Sequence, residues 1–305
     1  MSYTVESIPD LSGTTSVVTG ANSGLGLATA SALATKGSHV VLASRNLDKA
    51  RVAAESIIAK CPSASVEVVQ IDLGSLESVA RAAEEVAARH PRIDILVNNA
   101  GLMAMPEGRT VDGFETQFGV NHLGHWALTA RLMPLLLAAP GARVVTVTSS
   151  AHHFGRALRP SGEVRRRGYS AWGAYGDSKL ANYHFAIGLQ RHFEQSGARA
   201  VSLLAHPGLS NTNLQAHTVE EGGGGVVGDF FLALVRRIGM SAEGGALSQI
   251  RAATDPRAKG GQFFVPRWFT AGPPVVRPIV RPGNRKAITR LWALSEQATG
   301  LSLQG

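Results

Sequence analysis

The chain has 305 residues, with 30 Lys+Arg against 22 Asp+Glu and a formal charge of +8. Its 44% hydrophobic and 17% charged residues exclude a disordered or fibrous chain and suffice for a full core. The single cysteine, Cys61, excludes an intrachain disulfide framework and any multi-cysteine zinc or iron–sulfur site. No run approaches about 18 apolar residues, so no spanning helix is expected. The N-terminus, MSYTVESIPDLSG, lacks the basic segment and apolar run of a signal peptide, which predicts a soluble, cytoplasmic protein. The charge is local. Nine basic residues stand against one acid between positions 251 and 290, which accounts for the whole excess. A neutral body with one basic segment argues against nucleic-acid binding and leaves peripheral contact with a membrane open.

In chain order, TSVVT at 15–19 predicts a strand, followed by a helical pattern at about 24–36. Further strands are predicted at 39–43, 65–71, 93–98, 143–149 and 199–205, with a weaker seventh at 262–265. Helices fall between them at about 46–60, 75–90, 112–138 and 174–196, with Pro62 and Pro91 just beyond helix ends. β-Branched strands and Ala-rich helices agree with local propensity. The alternation, without repeat or linker, predicts an α/β fold: residues 1–305 as a single doubly wound (Rossmann) domain, an about seven-stranded parallel sheet with helices on both faces. Two segments break the pattern. Residues 151–173 form a basic insert, and residues 208–245, with Gly222–Gly225 and the apolar VVGDFFLALVRRIGM, read as a substrate lid region. Residues 266–305 read as a basic C-terminal extension.

The first strand runs into Thr19-Gly20-Ala21-Asn22-Ser23-Gly24-Leu25-Gly26, which opens a helix. Gly20 permits a tight turn, Gly24 lets the backbone approach a pyrophosphate, and Gly26 allows close helix–strand packing; the helix N-terminus then faces the anion. At the end of the second strand, an acid would bond the ribose 2′-OH of NAD, whereas an arginine accommodates the 2′-phosphate of NADP. Arg45 stands there, favouring NADP (NADPH) with NAD as the lesser alternative; otherwise Arg45 is a solvated loop residue. Asp72, followed by Leu73, ends the third strand near the expected adenine, and its carboxylate also suits a cap for the next helix. Asn98-Asn99-Ala100-Gly101 ends the fourth strand, where paired amides tie loops to strands and small residues leave room for a cofactor.

Tyr175 and Lys179 share one helical face at i, i+4. A free tyrosine titrates near 10, about three units too high for neutral acid–base work, and a neighbouring ammonium favours the phenolate. Ser149 and Ser150 end the fifth strand, and Asn121 follows the fourth. Taken with Thr19–Gly26 and Asn98–Gly101, this ordered set resembles the short-chain dehydrogenase/reductase family over roughly residues 12–265. Asn121-His-Leu-Gly-His125, Ser149-Ser-Ala-His-His153, Tyr175–Asn182 and His206-Pro-Gly208 are similar to its retinol-dehydrogenase-like branch, whose wider serine–tyrosine interval this chain shares.

That resemblance implies Tyr175 as proton donor or acceptor, Lys179 as its modulator and ribose ligand, Ser150 as the group orienting the substrate oxygen (Ser149 the runner-up), and Asn121 as support for a water relay. It also implies that Pro207, Gly208 and Thr212 lie beside the nicotinamide, with a lipophilic small-molecule substrate and homo-oligomer formation through the long helices. The competing reading is a catalytically weak cofactor-binding or scaffold protein. His122, His125, His152 and His153 lack a third ligand in register, so no metal is expected.

Overall fold

In the computed structural model the described residues are 2–157, 168–210, 239–279 and 284–303. Seven parallel strands and one antiparallel edge strand form a sheet ordered β3-β2-β1-β4-β5-β6-β7-β8. The strands are β1 (Thr15–Thr19), β2 (His39–Ser44), β3 (Val66–Gln70), β4 (Ile95–Asn98), β5 (Arg143–Val147), β6 (Val201–Ala205), β7 (Phe263–Pro266) and β8 (Pro274–Arg277). Between them run α1 (Gly24–Thr35), α2 (Leu47–Lys60), α3 (Leu76–Arg89), α4 (Thr116–Phe118), α5 (Gly124–Ala138), α6 (Ala171–Ser196), α7 (Ala242–Thr254) and α8 (Asn284–Thr299).

Because side chains alternate along a strand, each apolar strand supplies two cores. Val17, Val41, Leu96 and Val144 pack with Val79 and Val86 of α3, Trp126 and Leu132 of α5, and Phe185 and Leu189 of α6. Val18, Val40, Leu42, Val97 and Val145 pack on the other face with Ala30 and Leu33 of α1, Ile57 of α2, and Ala246 and Ile250 of α7. The strand order reverses between β1 and β4, and this opens a crevice at the carboxyl ends of the strands.

Three features depart from the sequence expectation. The helix foreseen over 112–138 starts at Thr116 and widens to a π-helical turn over Gly119–Leu123, closed by Gly124 N–H donating to the Gly119 carbonyl. Gly124 lies so close to Leu73 that a Cβ would overlap the Leu73 carbonyl oxygen. β8 is an eighth strand that the sequence reading missed because prolines surround it; an edge position tolerates them. Residues 266–305, read as an extension, contribute both β8 and α8 to the domain. Trp292 of α8 packs edge-on to Trp126 at 4.9 Å and leaves no room for a side chain at Gly188 of α6, while Arg285, Lys286 and Arg290 face solvent. Most of the 208–245 segment, including Thr212, and residues 158–167 of the basic insert lie outside the described residues. Among the described residues no helix is long and apolar enough to cross a membrane.

Candidate active site

The turn after β1 forms a cradle. Gly20 (φ +67°) and Gly24 (φ +53°) occupy the left-handed region that favours glycine, and a Cβ on Gly26 would strike the Gly20 carbonyl oxygen. Ser23 enters α1 in extended backbone, and its side chain makes no capping hydrogen bond. The leading N–H groups of α1, at Gly24, Leu25 and Gly26, therefore stay directed outward at the positive end of the helix, which fits a dinucleotide pyrophosphate. Arg45 lies exposed one residue past β2, at the same end of the sheet.

Behind the cradle lies a buried network that sequence reasoning did not resolve. Asn99 N–H and Ala100 N–H donate to Thr19 Oγ1 at 2.9 and 3.0 Å, and Asn99 Nδ2 donates to the Thr19 carbonyl at 2.8 Å. Gln249 of α7 donates to Asn99 Oδ1 at 3.1 Å. Asn99 thus ties β4 to the glycine turn. The side chain of Asn98 instead turns away to donate to Thr129 Oγ1 of α5 at 3.1 Å, leaving its backbone at the strand end. Leu73 likewise buries its side chain in the core. Asp72 accepts from Gly74 N–H at 2.8 Å, whereas the cap of α3 is Ser75, which accepts from Ser78 N–H at 3.2 Å.

Thr19 Oγ1 also lies 2.9 Å from His125 Nε2, closer than its 3.3 Å to the Val97 carbonyl. Having accepted two backbone N–H groups, this hydroxyl gives its hydrogen to Nε2, so His125 Nδ1–H donates to the Asn121 carbonyl at 3.0 Å. Burial, with help from the Lys179 charge, lowers the His125 pKa to about 4 and keeps the ring neutral. His122 points elsewhere, to Ser295 Oγ at 2.8 Å, and burial lowers it to about 3. The two histidines do not converge on a common point.

α6 begins at its cap Ser170, which accepts from Gly173 N–H at 3.2 Å, and carries Tyr175 and Lys179 to the crevice, 6% and 5% exposed. Lys179 Nζ lies 5.8 Å from the Tyr175 ring centre and 3.4 Å from the Val147 carbonyl. Asn121 Nδ2 donates to the Leu102 carbonyl at 2.9 Å and to Ser178 Oγ at 2.8 Å, while its Oδ1 accepts from Leu102 N–H at 2.7 Å. A side chain at Gly101 would begin 3.1 Å from Asn121 Oδ1 and 3.2 Å from Lys179 Nζ, so this glycine borders both groups.

Ser149 caps the 3-10 turn Ser150–His153 from extended backbone, accepting from Ala151 N–H, and is the serine whose hydroxyl favours the Tyr175 phenolate, whereas Ser150 is exposed. One expectation needs correction: Lys179 does not make the phenol acidic in this arrangement. Burial pushes Tyr175 up to about 12, with Ser149 acting in the opposite direction, and burial pushes Lys179 down to about 8.

Beyond Ser149, His152 stacks on Tyr183 at 4.7 Å, and His153 lies 5.7 Å from Phe269. With Phe263, Arg277 and Pro278 these rings line a cavity of about 410 Å³. Gly208, at φ +73° against the Thr270 carbonyl and Pro266, forms the turn after β6 beside Pro207.

Residues 14–222 match the family model described as short chain dehydrogenase. This chain is a short-chain dehydrogenase. It is 35% identical to retinol dehydrogenase 13 of Homo sapiens over 95% of this chain and 85% of that one. It is also 35% identical to polyprenol dehydrogenase of Mus musculus, over 96% and 86%. A solved structure of an uncharacterized protein from Mycobacterium paratuberculosis covers all of both chains with 38% identity and a TM-score of 0.80. The dehydrogenase therefore falls in the retinol-dehydrogenase-like branch and is an oxidoreductase of CH–OH or C=O groups that uses a nicotinamide cofactor.

Proposed function

We propose that this dehydrogenase is an NADP(H)-dependent oxidoreductase of lipophilic alcohols and carbonyls, with Tyr175, Lys179, Ser149 and Asn121 as its catalytic set. The observation that carries the reading is the convergence of those four side chains beside the glycine cradle. Gly20, Asn22, Ser23, Gly24, Leu25 and Gly26 would hold the pyrophosphate, Arg45 the 2′-phosphate, and Asp72 with the Leu73 backbone the adenine side. The Asn98 backbone, Ala100, Gly101, Lys179, Pro207 and Gly208 would flank the nicotinamide nucleoside. The bound nicotinamide supplies a hydride donor for carbonyl reduction or an acceptor for alcohol oxidation.

The protein's own part is proton handling and orientation. Tyr175 Oη holds the proton that the carbonyl oxygen takes up, and Ser149 Oγ orients that oxygen through a second hydrogen bond. A phenol titrating near 12 releases no proton to bulk water at neutral pH and passes one only to a developing alkoxide. Lys179, drawn down to about 8 by burial, is poised to carry charge or give up a proton near physiological pH. Asn121 holds the Leu102 segment and Ser178 in register beneath it. For the substrate, the two named relatives are dehydrogenases of lipophilic alcohols, and the aromatic-walled cavity of about 410 Å³ falls in the range of small-molecule sites.

The direct test follows NADPH consumption with a panel of isoprenoid, aromatic and steroid carbonyls. Saturable turnover of apolar members is expected, and nicotinamide binding without turnover of any member would defeat the reading. Two variant comparisons sharpen it. Ser149→Ala is expected to lower kcat/KM by about 100-fold, the usual loss of one oxygen-orienting donor, with Ser150→Ala within about twofold of the parent. Arg45→Asp removes a cation and adds an anion opposite the 2′-phosphate. The KM for NADPH is expected to rise at least about tenfold while that for NADH does not, as read from initial rates with each cofactor.

A further inference from the structure

We infer that His39, Glu67 and His90 form a binding site for one divalent metal ion of the zinc class, at the end of the sheet remote from the dinucleotide cradle. The residues are far apart in sequence and are gathered by topology. His39 opens β2, Glu67 is the second residue of β3, and His90 caps the C-terminus of α3. The parallel register pairs Val41 with Glu67, and side-chain alternation puts residue 39 on the same face as residue 41, so His39 and Glu67 share the face that α3 covers.

The donor atoms of the three residues all lie within 4.8 Å of one another. Glu67 Oε1 is the common point, 2.7 Å from His90 Nε2 and 3.7 Å from His39 Nε2, and the two imidazole rings stand 5.0 Å apart. A tetrahedral zinc ion with bonds near 2 Å sets its ligands about 3.3 Å apart, so both Glu67 distances lie within about 0.6 Å of what the ion requires.

Three details favour a cation over a plain hydrogen-bonded cluster. His39 Nε2 is buried and has no hydrogen-bond partner, although it faces a carboxylate oxygen. The opposite nitrogen, Nδ1, lies 2.7 Å from Ser65 Oγ, the outer contact that orients a metal-binding imidazole. Arg89 engages the other oxygen, Oε2, at 3.3 Å, leaving Oε1 as a single ligand atom, and Arg89 itself is shared with Glu85 at 2.6 Å. Two imidazoles and one carboxylate suit zinc over magnesium or calcium, and the partial exposure of all three leaves a fourth position for water. Bound there, the ion joins the edge strand β3 to β2 and α3. Five residues of β2, 40–44, separate His39 from Arg45 at the cofactor end, so the ion's role is structural.

The test titrates zinc chloride alone into chelator-treated full-length protein by calorimetry and records thermal unfolding with and without zinc. One saturable site per chain and a rise in Tm are expected. Glu67→Gln, which keeps the side-chain volume, and His90→Gln should each weaken binding more than tenfold, with NADPH turnover unchanged. His192→Gln serves as the control and should bind like the parent. If Glu67→Gln fails to fold by circular dichroism, His39→Gln takes its place. Absence of saturable binding in the parent overturns the site, as does unweakened binding in these variants, which would send the zinc to the adjacent His152 and His153.

Discussion

Tyr175→Phe is expected to lower kcat by about 1,000-fold, within the usual range for a general acid–base group, with NADPH affinity changed less than about twofold. The substitution removes a single oxygen. The ring remains packed beside Trp172 at 6.2 Å and keeps its 5.8 Å separation from Lys179 Nζ, so neither the crevice wall nor the ammonium loses its neighbour. Stability should hardly change, because the hydroxyl that is lost was buried and its removal escapes its desolvation. Single-turnover NADPH oxidation separates this from a binding defect. Undiminished turnover of every accepted carbonyl would remove Tyr175 as the proton donor.

Lys179→Met is expected to inactivate the enzyme and stabilise the fold, the opposite signs a functional buried charge produces. Burial lowers the Lys179 pKa from 10.5 to about 8. Between those values the unfolded chain binds more protons at this position than the folded one, so the stability of the parent rises with pH through that window. Below pH 8 the folded state carries the whole penalty, roughly 3 kcal/mol from the size of the shift. Methionine fills nearly the same space without charge. At pH 7, with no cofactor added, the variant should melt several degrees above the parent, and the gap should close as pH rises toward 10.5. The comparison belongs at or below pH 10, because Tyr175, raised to about 12, destabilises the folded state as its unfolded counterpart ionises above that point. Denaturant unfolding from pH 7 to 10 reads the slope. A parallel pH dependence in parent and variant would exclude Lys179 as its source.

The two predictions rest on unequal footing in the sequence. The pairing of Tyr175 with Lys179 was legible because a four-residue interval on a helix is a local property. Their titration was not: the short interval suggested that the ammonium would acidify the phenol, but burial of Tyr175 among Met103, Ala104 and Ala151, and of Lys179 against the end of β5, reverses the direction. Nor did the sequence separate Ser149 from Ser150, since adjacent residues differ only in how a 3-10 turn is capped. Thr19 and His125 were passed over for a related reason. Each looks ordinary beside its neighbours in the chain, and their contact joins residues 106 positions apart.

The parallel strands, the helices between them, the glycine turn and the tyrosine–lysine spacing were set by the sequence alone, because apolar period, β-branching and glycine act over a few residues. Tertiary structure decided that Ser149 would cap a 3-10 turn, that prolines would border an eighth strand, that Asn121 would sit in a π-helical turn, and that His39, Glu67 and His90 would meet. Those outcomes depend on burial and on contacts between segments distant in the chain, and free energies of that kind are written in no short stretch of it.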